Sequence, residues 1–150
     1  MDFTKGLATA GVVLGLVALA GIAGAGAGAR LSVEVDGLRS AEGRACVALY
    51  DSADVFPQAG KALKTACAAI AGGRAVVAFE GVAPGVYAAY AFHDEDSDGA
   101  LKTNWVGMPK EGIGASRGAK GFMGPPKFED AAFSVAPGRD AAIRISLKYL

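Results

Sequence analysis

The sequence predicts an all-β protein, an antiparallel β-sandwich of about seven short strands with one long, ordered, glycine-rich loop. Three observations predict it. Runs of alternating apolar and polar residues recur along the chain, the period of a half-buried strand. Turns rich in glycine and proline separate these runs, and 22 of the 150 residues are glycine. No strand–helix alternation of the βαβ kind is present, which excludes doubly wound nucleotide-binding folds.

Residues 1–29 read as a secretory signal peptide. Met1 to Lys5 carries one lysine, Leu7 to Ala23 is an uncharged apolar run, and Gly24 to Ala29 are small residues only. Ala25-x-Ala27 and Ala27-x-Ala29 both fit the small-x-small cleavage rule, and cleavage is expected after Ala29. A retained run would instead anchor the chain, because about 20 apolar residues span a bilayer. The decay into glycine and alanine without a basic stop-transfer cluster favours cleavage. Residues 30–150 are then one β-sandwich domain, periplasmic or secreted, with membrane contact expected only through an uncleaved signal segment.

Arg30 to Val35 alternates, with Leu31, Val33 and Val35 facing inward. Arg44 to Tyr50 is a second strand, with Ala45, Val47 and Leu49 on one face and Cys46, Ala48 and Tyr50 on the other; the two strands are expected to form a hairpin. Asp51 to Gly60 is a connection whose Phe56 tucks into the edge of the core; the alanines of Lys61 to Ala71 allow a short helix, but its place before Gly72-Gly73 suits an extended edge segment, with a strand over Ala66 to Ile70. Arg74 to Phe79 is a strand, and Val82-Ala83-Pro84-Gly85 reads as a type II turn with Pro84 and Gly85 at its centre. Val86 to His93 is apolar on both faces, so it is a central strand that delivers His93 and Asp94 to one end of the sheet. Trp105 to Lys127 has no periodicity but holds Trp105, Met108, Ile113, Phe122 and Met123, too apolar for a disordered segment; it is expected to lie over the end of the sheet. Phe128 to Val135 and Ala141 to Tyr149 complete the strands.

Composition narrows the function classes. Lys+Arg and Asp+Glu balance at 15 each, so no overall field draws in nucleic acid. Cys46 and Cys67 are the only cysteines. In an exported chain such a pair suggests a disulfide, worth about 3 kcal/mol for a loop of about 20 residues; the alternative is two separate buried thiols.

Four carboxylates fall between Asp94 and Asp98, directly before Gly99. Asp94-x-Asp96-x-Asp98-Gly99 matches the first half of an EF-hand loop, in which alternate carboxylates and the next carbonyl, here that of Ala100, surround one cation. The second half fails, since the twelfth position is Trp105; Asn104 or Glu111 can stand in for the missing glutamate. Calcium at Asp94, Asp96, Asp98, Ala100 and Asn104 would relieve the crowding of like charges, and the alternative is a solvated turn whose side chains cap backbone N–H groups. His93, the one histidine, invites an acid–base reading with Asp94 or Glu111. Neighbours on a strand point to opposite faces, however, so the adjacency makes no dyad, and a structural His93 bonded to the long loop is expected. Trp105, Phe122 and Met123 could line a ligand groove, with His93 as a further contact, or form a small core within the loop.

Taken together, these residues resemble a known family. Leu31-x-Val33-x-Val35-x-Gly37-Leu38, Val47-Ala48-Leu49-Tyr50, Pro84-Gly85-x-Tyr87, Phe92-His93-Asp94-Glu95, Thr103-Asn104, Gly107-x-Pro109-Lys110-Glu111-Gly112, Phe122-x-Gly124-Pro125-Pro126 and Phe128-Glu129-Asp130-Ala131 are similar to the bacterial exported proteins grouped as domain of unknown function 2141 (DUF2141). The resemblance implies an exported protein with an immunoglobulin-like or transthyretin-like sandwich, and it brings no catalytic residues. Asp96-Ser97-Asp98 stands where Asn-Gly-Asn is common, and Ile113-Gly114-Ala115 where an aromatic pair is usual.

The resulting expectation is an exported, non-enzymatic β-sandwich whose acidic loop, with or without calcium, braces a binding loop. Its partner would be an envelope protein or a glycan. The alternatives are a small-molecule or glycan carrier using Trp105 and Phe122, and a hydrolase using His93 with an acidic residue.

Overall fold

The structure is a computed structural model that describes residues 28–150. The expected signal segment therefore lies outside the described residues, except for Gly28 and Ala29. Eight strands follow in order: β1 Ala29–Asp36, β2 Arg44–Tyr50, β3 Lys64–Ala69, β4 Ala75–Val82, β5 Gly85–Asp94, β6 Ile113–Ala115, β7 Phe133–Val135 and β8 Ala141–Ser146. The one α-helix among the described residues, α1, is a single turn at Phe128–Ala131.

The strands form two sheets. One has the order β4-β1-β8, with β1 and β8 parallel; the other has the order β3-β2-β5-β6, with β7 pairing the start of β5. Leu31, Val33, Val35, Val77 and Ile145 of the first sheet meet Ala45, Val47, Leu49, Ala89 and Ala91 of the second in one buried cluster. This is the core of a β-sandwich. Full burial of each of the larger side chains contributes about 1.5–3 kcal/mol.

β2 and β5 are buried along both faces. A second cluster explains why: Phe56, Ala115, Ala131 and Phe128 cover Ala48, Tyr50, Ala88 and Tyr90 on the back of the larger sheet. Phe56 meets Tyr50, Tyr90 and Phe128 edge-on at ring separations of 5.2, 6.4 and 6.0 Å. The connection after β2 and the segment before β7 thus form a partial third layer, and the expected place of Phe56 at the core's edge is borne out.

Several local expectations are corrected. β1 and β2 do not form a hairpin: β1 pairs β4 and β8, whereas β2 pairs β3 and β5. Gly85 opens β5 rather than taking a positive φ, which falls on Gly81 at 65°; Ala83 and Pro84 carry the chain from one sheet to the other. The Trp105–Lys127 stretch is not a single loop, since β6 pairs the end of β5 and a 3₁₀ turn, Ser116–Gly118, follows it. Phe128 to Ala131 is helical rather than extended, and only Phe133–Val135 is strand.

Cys46 and Cys67 face each other across β2 and β3 and form a disulfide. Ala29, the residue before the expected cleavage point, is buried in β1 opposite Val82.

Candidate functional site

β5 ends where its sequence turns from apolar to acidic. Alternation places Tyr87, Ala89 and Ala91 in the sandwich core and Ala88 and Tyr90 on the back of the sheet. His93 and Asp94 continue this pattern on opposite faces, so they do not form a dyad.

His93 is fully buried. Its Nε2 lies 2.7 Å from the carbonyl of Glu42, which can only accept, so Nε2 carries the proton. Nδ1, 2.8 Å from the Tyr149 hydroxyl, then accepts from it, and that hydroxyl accepts from the Arg39 N–H at 2.9 Å. The expected bond to the long loop is made by the main chain, the His93 N–H donating to Gly112 O at 2.9 Å, while the ring goes to Tyr149 and Glu42. Gly112 suits that position because a Cβ there would sit 2.6 Å from Cζ of Tyr149. Burial raises the Tyr149 pKa, and the Arg39 N–H and charge only partly offset it.

Asp94 is also fully buried. Its Oδ1 accepts from the Asp98 N–H at 3.1 Å, and its Oδ2 from the Gly99 N–H at 2.9 Å and from Nε of Arg44 at 3.0 Å. Burial alone would raise its pKa; the Gly99, Arg44 and Asp98 bonds outweigh burial and hold it below the usual value of 3.8. Gly99 takes φ 81°, the turn conformation expected of it.

Glu111, 5% exposed, closes the loop from its other end. Oε1 accepts from the Glu95 N–H and Oε2 from the Lys102 N–H, both at 3.2 Å. One carboxylate therefore ties the first residues of the acidic turn to the base of the next hairpin. That hairpin runs from Lys102 to Lys110, with Lys110 N–H donating to Lys102 O at 2.8 Å and Asn104 N–H to Met108 O at 2.7 Å. Asn104 Oδ1 accepts from the Val106 and Met108 N–H groups, each at 3.0 Å.

Four of the five acidic groups here meet the protein's own cations, and the fifth, Glu111, has the two backbone N–H groups. Lys102 pairs with Asp96 and reaches Asp98 at 3.9 Å, Arg44 pairs with Asp94, and Arg39 pairs with Glu95 while lying 4.6 Å over the Tyr149 ring. Arg39, Glu42, Glu95, Asp96, Lys102, Lys110 and Glu111 line an open depression of about 300 Å³.

Of the expected metal ligands, Asp94 and Asp96 come together, but with Glu111: one oxygen from each lies within 4.8 Å of the others. Asp98 Oδ1 instead accepts from the Ala100 N–H at 3.0 Å, and Asn104 serves its own turn. Glu111 was the residue hardest to find. Thirteen positions separate it from Asp98, and its only sequence signal is that it stands near the failed end of the EF-hand pattern.

The expectation of a small core within the loop is corrected. Trp105 is 96% exposed, Phe122 92% and Met123 94%. The two tips are also separate in the chain path. Trp105 caps the hairpin beyond the Asp94 end of β5, whereas the Phe122 turn leaves the sheet after Ser116, which bonds Ala89 in mid-strand. Neither lines the depression at the acidic loop.

Fold and site together define a β-sandwich whose buried carboxylates clamp a protruding hairpin. The family model described as an uncharacterized protein conserved in bacteria (DUF2141) matches residues 33–143, and the chain belongs to that family. No curated protein and no solved structure matches it.

Proposed function

We propose that this is an exported, non-catalytic binding domain that presents Trp105 to a glycan of the cell envelope, with the acidic cluster as the brace of the presenting hairpin. The observation that carries this reading is the contrast between tip and base. The indole is 96% exposed, while the hairpin beneath it is held by Glu111 and Asn104. A large aromatic side chain on a pre-ordered support loses little entropy on binding, and its flat face suits a sugar ring. Export is supported by the apolar run Leu7 to Ala23 and by the Cys46–Cys67 disulfide. The non-catalytic part is supported by His93, which is buried with both ring nitrogens bonded within the protein.

The test uses Trp105 itself, the chain's only tryptophan. Titration with soluble cell-wall glycan fragments quenches or shifts its emission saturably, and Trp105→Ala abolishes binding measured by calorimetry while the far-ultraviolet circular dichroism is unchanged. A flat titration, or equal binding by the variant, overturns the reading.

A second reading concerns the brace and rests on the grouping of Asp94, Asp96 and Glu111. Calcium would bind there, sharing Asp94 and Glu111 oxygens that already accept backbone N–H groups, after Lys102 leaves Asp96. The Lys102 pair is half exposed, and such pairs contribute only about 0–1 kcal/mol, so a divalent cation can displace it.

A further inference from the structure

The turn at Phe122 and Met123 has no part in the site described above. It is tight: a Cβ on Gly121 would sit 1.6 Å from Gly124 O, and Met123 takes φ 55°, which few side chains adopt outside turns. Small and rigid residues, Gly121, Gly124, Pro125 and Pro126, stand on either side, so the two large apolar side chains project beyond their neighbours. Isolated exposed apolar residues are ordinary, but two adjacent ones more than nine-tenths exposed at the tip of a turn are not.

Charge indicates what would cover them. Between Glu111 and Glu129 the chain has no carboxylate, yet it carries Lys120 and Lys127, both exposed, and Arg117, exposed and with Nη1 donating to Ala132 O at 3.2 Å. In a protein with equal numbers of acidic and basic residues, this is a run of three positive charges and no acid along the chain on either side of the apolar pair. The nearest acids that follow, Glu129 and Asp130, are on α1, which packs against the back of the larger sheet through Ala131 and Phe128. An apolar tip with a basic collar complements a surface that is anionic outside and apolar beneath, namely an anionic phospholipid bilayer.

We infer that the Phe122–Met123 turn is a membrane-contact wedge, inserting its two side chains into the interface of an anionic lipid surface while Arg117, Lys120 and Lys127 meet the headgroups. The contact is peripheral and reversible, and it leaves the Trp105 hairpin, at a different place on the fold, free for its own partner. It does not depend on the glycan reading.

The experiment moves the single tryptophan to the tip. In the full-length Trp105→Phe/Phe122→Trp chain, emission is expected to shift to the blue and to be quenched by brominated acyl chains in vesicles containing phosphatidylglycerol, but not in pure phosphatidylcholine. Adding Lys120→Glu/Lys127→Glu is expected to weaken that response about tenfold or more, and raised salt to weaken it in the parent. Because the readout is local to position 122, it ignores any insertion by the apolar segment Leu7 to Ala23. Absence of quenching, equal quenching in neutral vesicles, or a concentration-dependent blue shift without vesicles, which would mean a second copy covers the tip, overturns the inference.

Discussion

Oε2 of Glu111 accepts from the backbone N–H of Lys102, while the side chain of Lys102 reaches back to Asp96. The same lysine is thus tied to the acidic loop at both its ends. The half-buried backbone bond fixes the hairpin, and the exposed ion pair only neutralises the turn. These two roles separate in the variants below.

Lys102→Met leaves the backbone bond and removes the ammonium from Asp96. If calcium binds at Asp94, Asp96 and Glu111, millimolar calcium raises the melting temperature of the parent, raises that of Lys102→Met further, and has no effect on Asp96→Asn. Differential scanning fluorimetry with and without calcium checks this. Equal melting temperatures in all states would remove calcium from the account and leave Lys102 as the neutralising group.

Asp94 sets an acid limit on stability. Its folded-state pKa is depressed, by the Gly99, Arg44 and Asp98 bonds acting against burial. Its contribution is therefore fully present above the ordinary carboxylate value of 3.8 and is lost as pH falls below that value through the folded-state pKa. Asp94→Asn is expected to destabilise the fold by about 1–3 kcal/mol at neutral pH and to flatten the fall in stability at low pH. Urea unfolding between neutral and acidic pH measures both.

His93 is a structural residue in this account. His93→Ala leaves the Glu42 carbonyl and the Tyr149 hydroxyl without their partner and opens a cavity, an expected loss of about 2–4 kcal/mol. Tyr149→Phe removes only the hydroxyl and is expected to cost about 1–2 kcal/mol. Denaturant melts of both variants give the order directly, and a His93→Ala chain as stable as the parent would contradict it.

The Cys46–Cys67 disulfide closes a separation of 21 residues within one sheet. Replacing both cysteines by alanine is expected to lower stability by about 3 kcal/mol. Thermal melts of the variant against the oxidised parent check the figure.

The sheet's central strand could be read from the chain because Val86 to His93 is apolar on both faces, and a strand is buried on both sides only when something covers each side. The same signal was present in β2, where Cys46, Ala48 and Tyr50 are as apolar as Ala45, Val47 and Leu49. It separates β2, in the doubly covered sheet, from β1, whose outer residues Ser32 and Glu34 are polar. The expected β1–β2 hairpin gave sequence neighbourhood more weight than that difference. β6 escaped because three residues, Ile113-Gly114-Ala115, are too few to show a period. α1 escaped for the same reason, being four residues long.

At the site, the acidic turn was legible as a cluster, but the partner that organises it was not. Glu111 reaches Glu95 and Lys102 through backbone amides, and nothing in a side-chain pattern marks which amide a carboxylate will accept from. Trp105 and Phe122 posed the opposite problem. An apolar residue in a loop has the same letter whether it packs inward or projects, and only the fold shows that these two project.

Glu111 braces the Trp105 hairpin by accepting from the Glu95 and Lys102 N–H groups. Amide hydrogen exchange on Glu111→Ala tests it most directly. Protection at Glu95 and Lys102 is expected to collapse, with the loss spreading through the Lys102–Lys110 hairpin, while the β2 and β5 amides stay protected and Trp105 fluorescence anisotropy falls. Unchanged protection at Lys102 and unchanged anisotropy would contradict it.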